Sequence, residues 1–234
     1  MNTEVKIKVD RLIEHKEGAV IVEIGAHYGE DTIDMLKVFN KPKIICFEPH
    51  PGNAEFIRRH LKMNENSYKR EDGEISLYEI ALSNCDETRE VEFNVIVSPL
   101  PDGVPLPSKY NWMNESDYRE LGLNDSGGSS LKDGYRDEDC NKVMVWTMRL
   151  DSCRVLRQGV ESIDFMWIDV QGAERDVIDG GSEVFKLTKY VWMEYGEMFY
   201  EGGMGRQETK SLMADNNFCS IYGEGNNLLF ERIE

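Results

Sequence analysis

The 234-residue chain contains no apolar run near the ~18 residues that a membrane helix needs. Its first residues, "MNTEVKIKVDRLIEHKEG", lack the apolar core of a signal peptide. Cysteine is scarce and odd in number. The five (Cys46, Cys85, Cys140, Cys153, Cys219) include no C-x-x-C pair, which argues against a disulfide framework or a zinc site and for a reducing compartment. Positive charge is also in deficit: 27 Lys and Arg face 44 Asp and Glu, a formal charge of −17. Such a surface repels phosphate backbones, and no Lys/Arg stripe offsets it, so no nucleic-acid partner is expected. These absences together read as a soluble, cytoplasmic protein without a membrane span.

What is present is an alternation of strand-like and helix-like segments. "AVIVEIG" (19–25), "KIICFEP" (43–49) and "ISLYEIAL" (75–82) predict three buried strands by length and β-branching. "EDTIDMLKVF" (30–39) and "NAEFIRRHLKMN" (53–64) predict helices between them, and "REVEFNVIV" (89–97) a fourth strand, antiparallel or at an edge. Residues 98–141 then hold four of the seven prolines with many Gly, Ser, Asn and Asp. A loop of that length in a compact domain is usually functional or disordered. Beyond it come "KVMVWTM" (142–148, strand), "RLDSCRVLRQ" (149–158, helix) and "IDFMWID" (163–169, strand). "AERDVIDGG" (173–181, short helix), "KYVWMEY" (189–195, strand) and "RQETKSLMADN" (206–216, helix) lead into a terminal hairpin, "FCSIYGEGNNLLFERI" (218–233). The order predicts one α/β domain whose mostly parallel sheet is covered on both faces.

"VEIGAHYGEDT" (22–32) follows the first strand and opens the first helix. Gly25 and Gly29 form G-x-x-x-G, and His27 stands where the dinucleotide fingerprint has the glycine that lets backbone reach a pyrophosphate. A ligand with a ribose but no pyrophosphate, such as S-adenosylmethionine, suits this loop better than NAD. Glu48 ends the second strand 23 residues after Gly25, where an acid accepts ribose hydroxyls. Glu23 is a candidate for the ligand's ammonium group. A tight turn with no ligand, in which His27 is only a polar turn residue, is the competing reading.

"CFEPHPGNAEFIRRHL" (46–61), "IALSN" (80–84), "GGSSL" (127–131), "MRLDS" (148–152), "WIDVQGAERDVIDGG" (167–181) and "VWMEY" (191–195) follow that loop in order. With them the chain resembles the FkbM-type S-adenosylmethionine-dependent methyltransferases, from residue 19 to the carboxyl terminus. The resemblance implies a class I, Rossmann-like α/β fold: a seven-stranded, mostly parallel sheet of order 3-2-1-4-5-7-6. It implies O-methylation of a sugar or glycosylated small molecule. It also implies cofactor contacts from Glu23, Gly25, Ala26, His27, Tyr28, Gly29, Thr32, Glu48, Pro49, Ile80, Ala81, Leu82, Ser130 and Asp169. Two departures touch the acceptor side: Trp167 stands where many members carry Lys, and the 98–141 insertion, a candidate lid, is unusually long.

Asp169, where an apolar strand stops, has three readings. It can cap the helix beginning near Ala173, meet the methionine end of the cofactor, or take the acceptor's proton. O-methylation needs a positioned base, because an alcohol is a poor nucleophile until its proton is leaving. Asp169 is the first candidate, Glu194 the second and His27 the third, while Glu174 reads equally as a first-turn helix acid. Asp169 and Glu194 together could hold Mg²⁺, but no third acidic ligand is evident, so a metal is the less favoured reading. Tyr110, Trp112, Tyr118, Tyr195, Phe199 and Tyr200 are candidates for a wall against a small-molecule or saccharide acceptor. Two rival functions remain. A nicotinamide-dependent oxidoreductase or epimerase is disfavoured by the missing glycine and by the lack of a Tyr-x-x-x-Lys pair. A catalytically silent binding domain is disfavoured by the intact Glu23, Gly25, Glu48 and Asp169 set.

Overall fold

The computed structural model describes residues 3–63, 65–96, 116, 128–133, 140–196 and 200–233. Its frame is an eight-stranded sheet. At the centre lie β1 (Val20–Ile24), β2 (Lys43–Phe47), β4 (Gly73–Tyr78), β8 (Ile163–Ile168) and β9 (Thr188–Glu194), all parallel. The hairpin β10 (Phe218–Glu224) and β11 (Asn227–Arg232) lies antiparallel beside β9. The sheet order β10-β11-β9-β8-β1-β2-β4-β3 contains the expected 3-2-1-4-5-7-6 arrangement, with one strand added at the edge. That strand, β3 (Ser67–Arg70), pairs antiparallel with β4, so the sheet has eight strands rather than seven. Its sequence, Ser-Tyr-Lys-Arg, has no apolar alternation to announce a strand.

The central strands are apolar because both faces are covered. All six residues of β8 are buried. Phe165 and Trp167 face one layer with Ile21, and Met166 and Ile168 face the other with Val22 and Ile24. The first layer is built by α1 (Thr3–Leu12), α2 (Glu30–Val38) and α3 (Pro51–Leu61). The second contains α4 (Arg154–Gln158), α5 (Glu174–Asp179), α6 (Ser182–Phe185) and α7 (Arg206–Asp215). The amino-terminal segment is therefore a packed helix rather than a frayed end, with Val5 and Val9 fully buried.

A second, three-stranded sheet pairs β5 (Ala81–Leu82), β7 (Cys140–Met148) and β6 (Arg89–Ile96), with β6 and β7 antiparallel. This corrects two expectations. Residues 75–82 are not one strand, because the chain turns after Tyr78, where Ile80 N–H donates to the Tyr78 carbonyl at 3.0 Å, and only β4 stays in the main sheet. "KVMVWTM" is likewise outside the main sheet. The helix expected over 149–158 is a 3-10 turn (Leu150–Ser152) followed by α4, whereas the short helix in 173–181 is closed by its glycines as expected, ending at Asp179 with Gly180 as its cap.

One buried acid lies at the amino end of β8, opposite the strand ends discussed below. The Asp164 side chain is fully buried and accepts from Lys16 at 2.6 Å, Lys189 at 2.7 Å and Val20 N–H at 3.0 Å. Burial alone would raise its pKa, but these three donors more than offset that and hold it below the usual carboxylate range. Both lysines reach solvent, so Asp164→Ala leaves them hydrated and costs chiefly the charge-assisted bonds and one backbone donor. We expect a loss of about 1–3 kcal/mol in chemical denaturation at pH 7. The difference should shrink as pH falls through the depressed pKa of Asp164, because a protonated Asp164 has already lost those bonds.

Candidate active site

The carboxyl ends of β1, β2 and β8 open into one cavity. Ile24, Gly25 and His27 line it from the end of β1, Glu48 and Pro49 from the end of β2, and Asp169 and Gln171 from the end of β8. Ile80, Ala81 and Leu82 form a further wall where the chain passes from the main sheet to the second one. Phe93 of β6, with Ser129 and Leu131, closes the remaining side.

The β1 loop is drawn tight against β8. Gly25 has φ +88°, and a Cβ there would lie 1.8 Å from the Asp169 carbonyl oxygen. Gly25 N–H and Ala26 N–H both donate to the Phe47 carbonyl. His27 (φ 53°) turns its backbone N–H onto Glu48 Oε2 at 2.7 Å, while its Nδ1 lies 3.0 Å from Glu30 Oε2. Ala26 and Tyr28 are buried in the turn and do not line the cavity; Tyr28 packs edge-on against Phe56. Gly29, φ +76°, precedes α2 beside Ile57.

Glu48 is the best-anchored acid of the cavity. Its Oε1 accepts from His50 N–H at 2.8 Å and Asn53 Nδ2 at 3.3 Å. Burial raises its pKa to about 7 against the opposing effects of His27 and these donors. A ribose hydroxyl donates more strongly to the anion than to the acid, so ligand binding should be linked to this ionisation. We expect affinity for S-adenosylhomocysteine to weaken by about tenfold per pH unit as pH falls below about 7, read by calorimetry between pH 5.5 and 8.5.

Glu23, expected at the cofactor, is not among the residues that line the cavity. Its side chain lies under the loop, 1% exposed, accepting from Thr32 Oγ1 and from Cys46 Sγ at 3.4 Å. Burial, assisted by the nearby Asp31, raises its pKa to about 8, so it is mostly protonated at neutral pH. Thr32 shares that buried network rather than the cavity. Asp31, in the first turn of α2, lines the cavity instead and pairs with the fully buried Lys6 of α1. Trp167 is also away from the cavity: it packs in the α1 layer, with the Lys6 ammonium 4.8 Å from its ring centroid.

Asp169 and Glu194 stand at neighbouring strand ends and share one donor. Gln171 Nε2 donates to Asp169 Oδ1 and, at 2.7 Å, to Glu194 Oε2. Asp169 N–H donates to the Ile24 carbonyl, so the residue belongs to the end of the sheet and does not cap α5. Burial raises the Asp169 pKa well above the carboxylate range, and the negative charge of Glu194 raises it further. Glu174, 1% exposed, accepts from Gly172 N–H, and burial raises its pKa to about 7. Ser130 does not line the cavity; its hydroxyl donates to the Gln171 carbonyl at 2.6 Å, and the neighbouring Ser129 lines the wall. Of the expected acceptor wall, Tyr200 donates to Gln171 Oε1 at 2.9 Å and Tyr195 to the Gly225 carbonyl. Tyr110, Trp112, Tyr118, Phe199 and most of the 98–141 insertion lie outside the described residues.

Sequence reasoning passed over Asp31, Asn53, Phe93 and Gln171. Asn53 sits in the first turn of α3, five residues after Glu48, and Asp31 in the first turn of α2, both readable signals; Phe93 and Gln171 depend on tertiary pairing. Among the described residues no group of three or more His, Cys, Asp or Glu could hold a metal ion, and no helix is long and apolar enough to cross a membrane.

The cavity's polar walls fit a cationic nucleoside. Glu30, Asp31 and Glu48 are acids that would repel a pyrophosphate and attract a positive centre. Comparison with known proteins agrees. The sequence model described as "Methyltransferase FkbM domain" matches residues 23–218. The 2-O-methyltransferase NoeI of Sinorhizobium fredii is 31% identical over 215 residues, 90% of this chain and 77% of that protein. The methyltransferase sdnD of Sordaria araneosa is 27% identical over 209 residues, 85% of this chain and 73% of that protein. Magnesium protoporphyrin IX methyltransferase (ChlM) from Synechocystis PCC 6803 with bound SAM superposes with a TM-score of 0.51 at 7% identity. The match covers 98% of this chain and 77% of that one, and it speaks for the fold alone. A nicotinamide enzyme and a silent scaffold both give way to these matches: the chain belongs to the FkbM family of S-adenosyl-L-methionine-dependent methyltransferases.

Proposed function

We propose that the chain methylates a hydroxyl of a sugar or glycosylated small molecule, with Asp169 as the base. The observation that carries this reading is the Asp169–Glu194 pair beside the cavity that also presents Gly25 and Glu48. S-adenosylmethionine, when bound, supplies a methyl group on a positively charged sulfur. Glu48 would hold the ribose, the Ile80–Leu82 wall would cover the flat base, and Asp31 would face the ligand's cationic end. Asp169 would take the acceptor's proton. Its raised pKa suits it to that task, since a stronger carboxylate base narrows the gap to an alcohol. Glu194 would keep the field negative beside the proton as it arrives. His27 lines the same cavity but is turned toward Glu30, which favours Asp169 over it as base.

Methylation of an oxygen is supported by NoeI, a 2-O-methyltransferase 31% identical to this chain, and the saccharide acceptor is what the family resemblance implies. Incubation with methyl-labelled S-adenosylmethionine and a panel of mono- and oligosaccharides, glycosides and non-sugar alcohols tests it by mass spectrometry. Label on a single sugar hydroxyl is the expected result. Label confined to nitrogen, or to non-sugar acceptors, would overturn the saccharide assignment.

A further inference from the structure

Gln171 sits in a conformation that a glutamine rarely adopts, and its carbonyl and both ends of its side-chain amide are engaged. Its φ is 53°, in the left-handed region, where a residue with a Cβ is strained. Its carbonyl accepts from Ser130 Oγ at 2.6 Å. Its side-chain oxygen accepts from Tyr200 OH at 2.9 Å. With that oxygen toward Tyr200, Nε2 spends its two hydrogens on two partners, Asp169 and Glu194. Gly172 follows at φ 95°, and a Cβ there would lie 2.4 Å from the Tyr200 Cβ. The glycine is what lets Tyr200 reach the amide. Glu174 Oε1 holds Gly172 N–H at 3.0 Å from below.

The strain has a consequence for the site. Turned into the right-handed or extended region, the Gln171 side chain would leave the strand ends, and only the proton of Asp169 would remain between the two carboxyl groups. We propose that Gln171 is the positioning residue of the active site: clamped by Tyr200 and Ser130, its amide holds Asp169 and Glu194 side by side in the geometry that leaves Asp169 open to the cavity. This rests on the reading of Asp169 as base. It adds that the base's basicity and aim are set by a residue 29 positions from its own clamp, Tyr200, which also lies within 3.2 Å of the Gly128 carbonyl at the foot of the cavity wall. Asp31 of α2, Glu174 of α5, Glu194 of β9 and His27 of the β1 loop are the other titratable groups around Asp169.

The test needs no acceptor. Carboxyl carbon-13 NMR, with Asp169 identified by its loss in Asp169→Asn, reads the titration midpoint of Asp169 in the wild type, Gln171→Met and Tyr200→Phe. Gln171→Met removes both donated hydrogens at nearly constant volume, and the Asp169 midpoint should rise by about one to two pH units. Tyr200→Phe keeps the ring and the donors but frees the amide, and should move the midpoint in the same direction by less. A purely structural role would lower the melting temperature and leave the midpoint in place. An unchanged midpoint in Tyr200→Phe and in any folded Gln171→Met would overturn the proposal. Calorimetry of the wild type with S-adenosylhomocysteine is run alongside: absence of binding there would overturn the reading of the cavity while the titration still decided the role of Gln171.

Discussion

Asp169→Asn lowers turnover by about 10²–10⁴ at saturating cofactor, the usual range for losing a general base, while affinity for S-adenosylhomocysteine stays close to that of the wild type. The substitution keeps the shape of the side chain and removes the oxygen that would receive the proton. Burial and the Glu194 charge keep Asp169 protonated well above the usual carboxylate range, so wild-type turnover should also rise with pH until that proton is lost. The asparagine variant should lose this rising limb. If Asp169 chiefly held the cofactor, affinity would drop and turnover at saturation would survive. Near-normal turnover would remove Asp169 as the base and leave Glu194, which shares the Gln171 amide, as the next candidate.

Gly25→Ala should damage the molecule more broadly. A methyl group there would have to lie 1.8 Å from the Asp169 carbonyl oxygen, at a φ of +88° that L side chains rarely adopt. Neither neighbour can yield cheaply, since both are backbone at the ends of adjacent central strands. We expect a loss of roughly 2–4 kcal/mol in unfolding free energy. Cofactor binding and turnover should both fall by more than about 100-fold, because β1 and β8 are forced apart where Gly25 and Asp169 meet. Wild-type melting and affinity in Gly25→Ala would show that the close approach is not maintained in solution.

The parts of this fold legible in the sequence are those whose residues answer to one local rule. β1, β2, β8 and β9 are apolar runs stopped by Gly, Pro or an acid, because both faces of each strand are covered. Gly25 and Glu48 were readable because a sharp turn and a strand-end acid leave marks at fixed spacing. Glu23 lies away from the cavity for a reason that strand alternation supplies. It is two residues from Ile21 and points with it into the α2 layer, where Thr32 and Cys46 enclose its carboxyl. The second sheet was harder, since β5 has two residues and its partner β7 begins 58 positions after Leu82. Gln171 was silent because its meaning lies in Tyr200 and Glu194, which reach it only once β8 and β9 are paired. The edge strand β3 carries no apolar pattern at all, and its pairing with β4 alone makes it a strand.

The most direct measurement of the account is calorimetry with S-adenosylhomocysteine at pH 8 on the wild type, Glu48→Ala and Asp169→Asn. The expected result is one site per chain, weakened by about 1–3 kcal/mol in Glu48→Ala, the scale of hydrogen bonds to a charged group, and nearly unchanged in Asp169→Asn. Binding as tight in Glu48→Ala as in the wild type would contradict the account, because the cofactor would then lie somewhere other than the cavity at the ends of β1, β2 and β8.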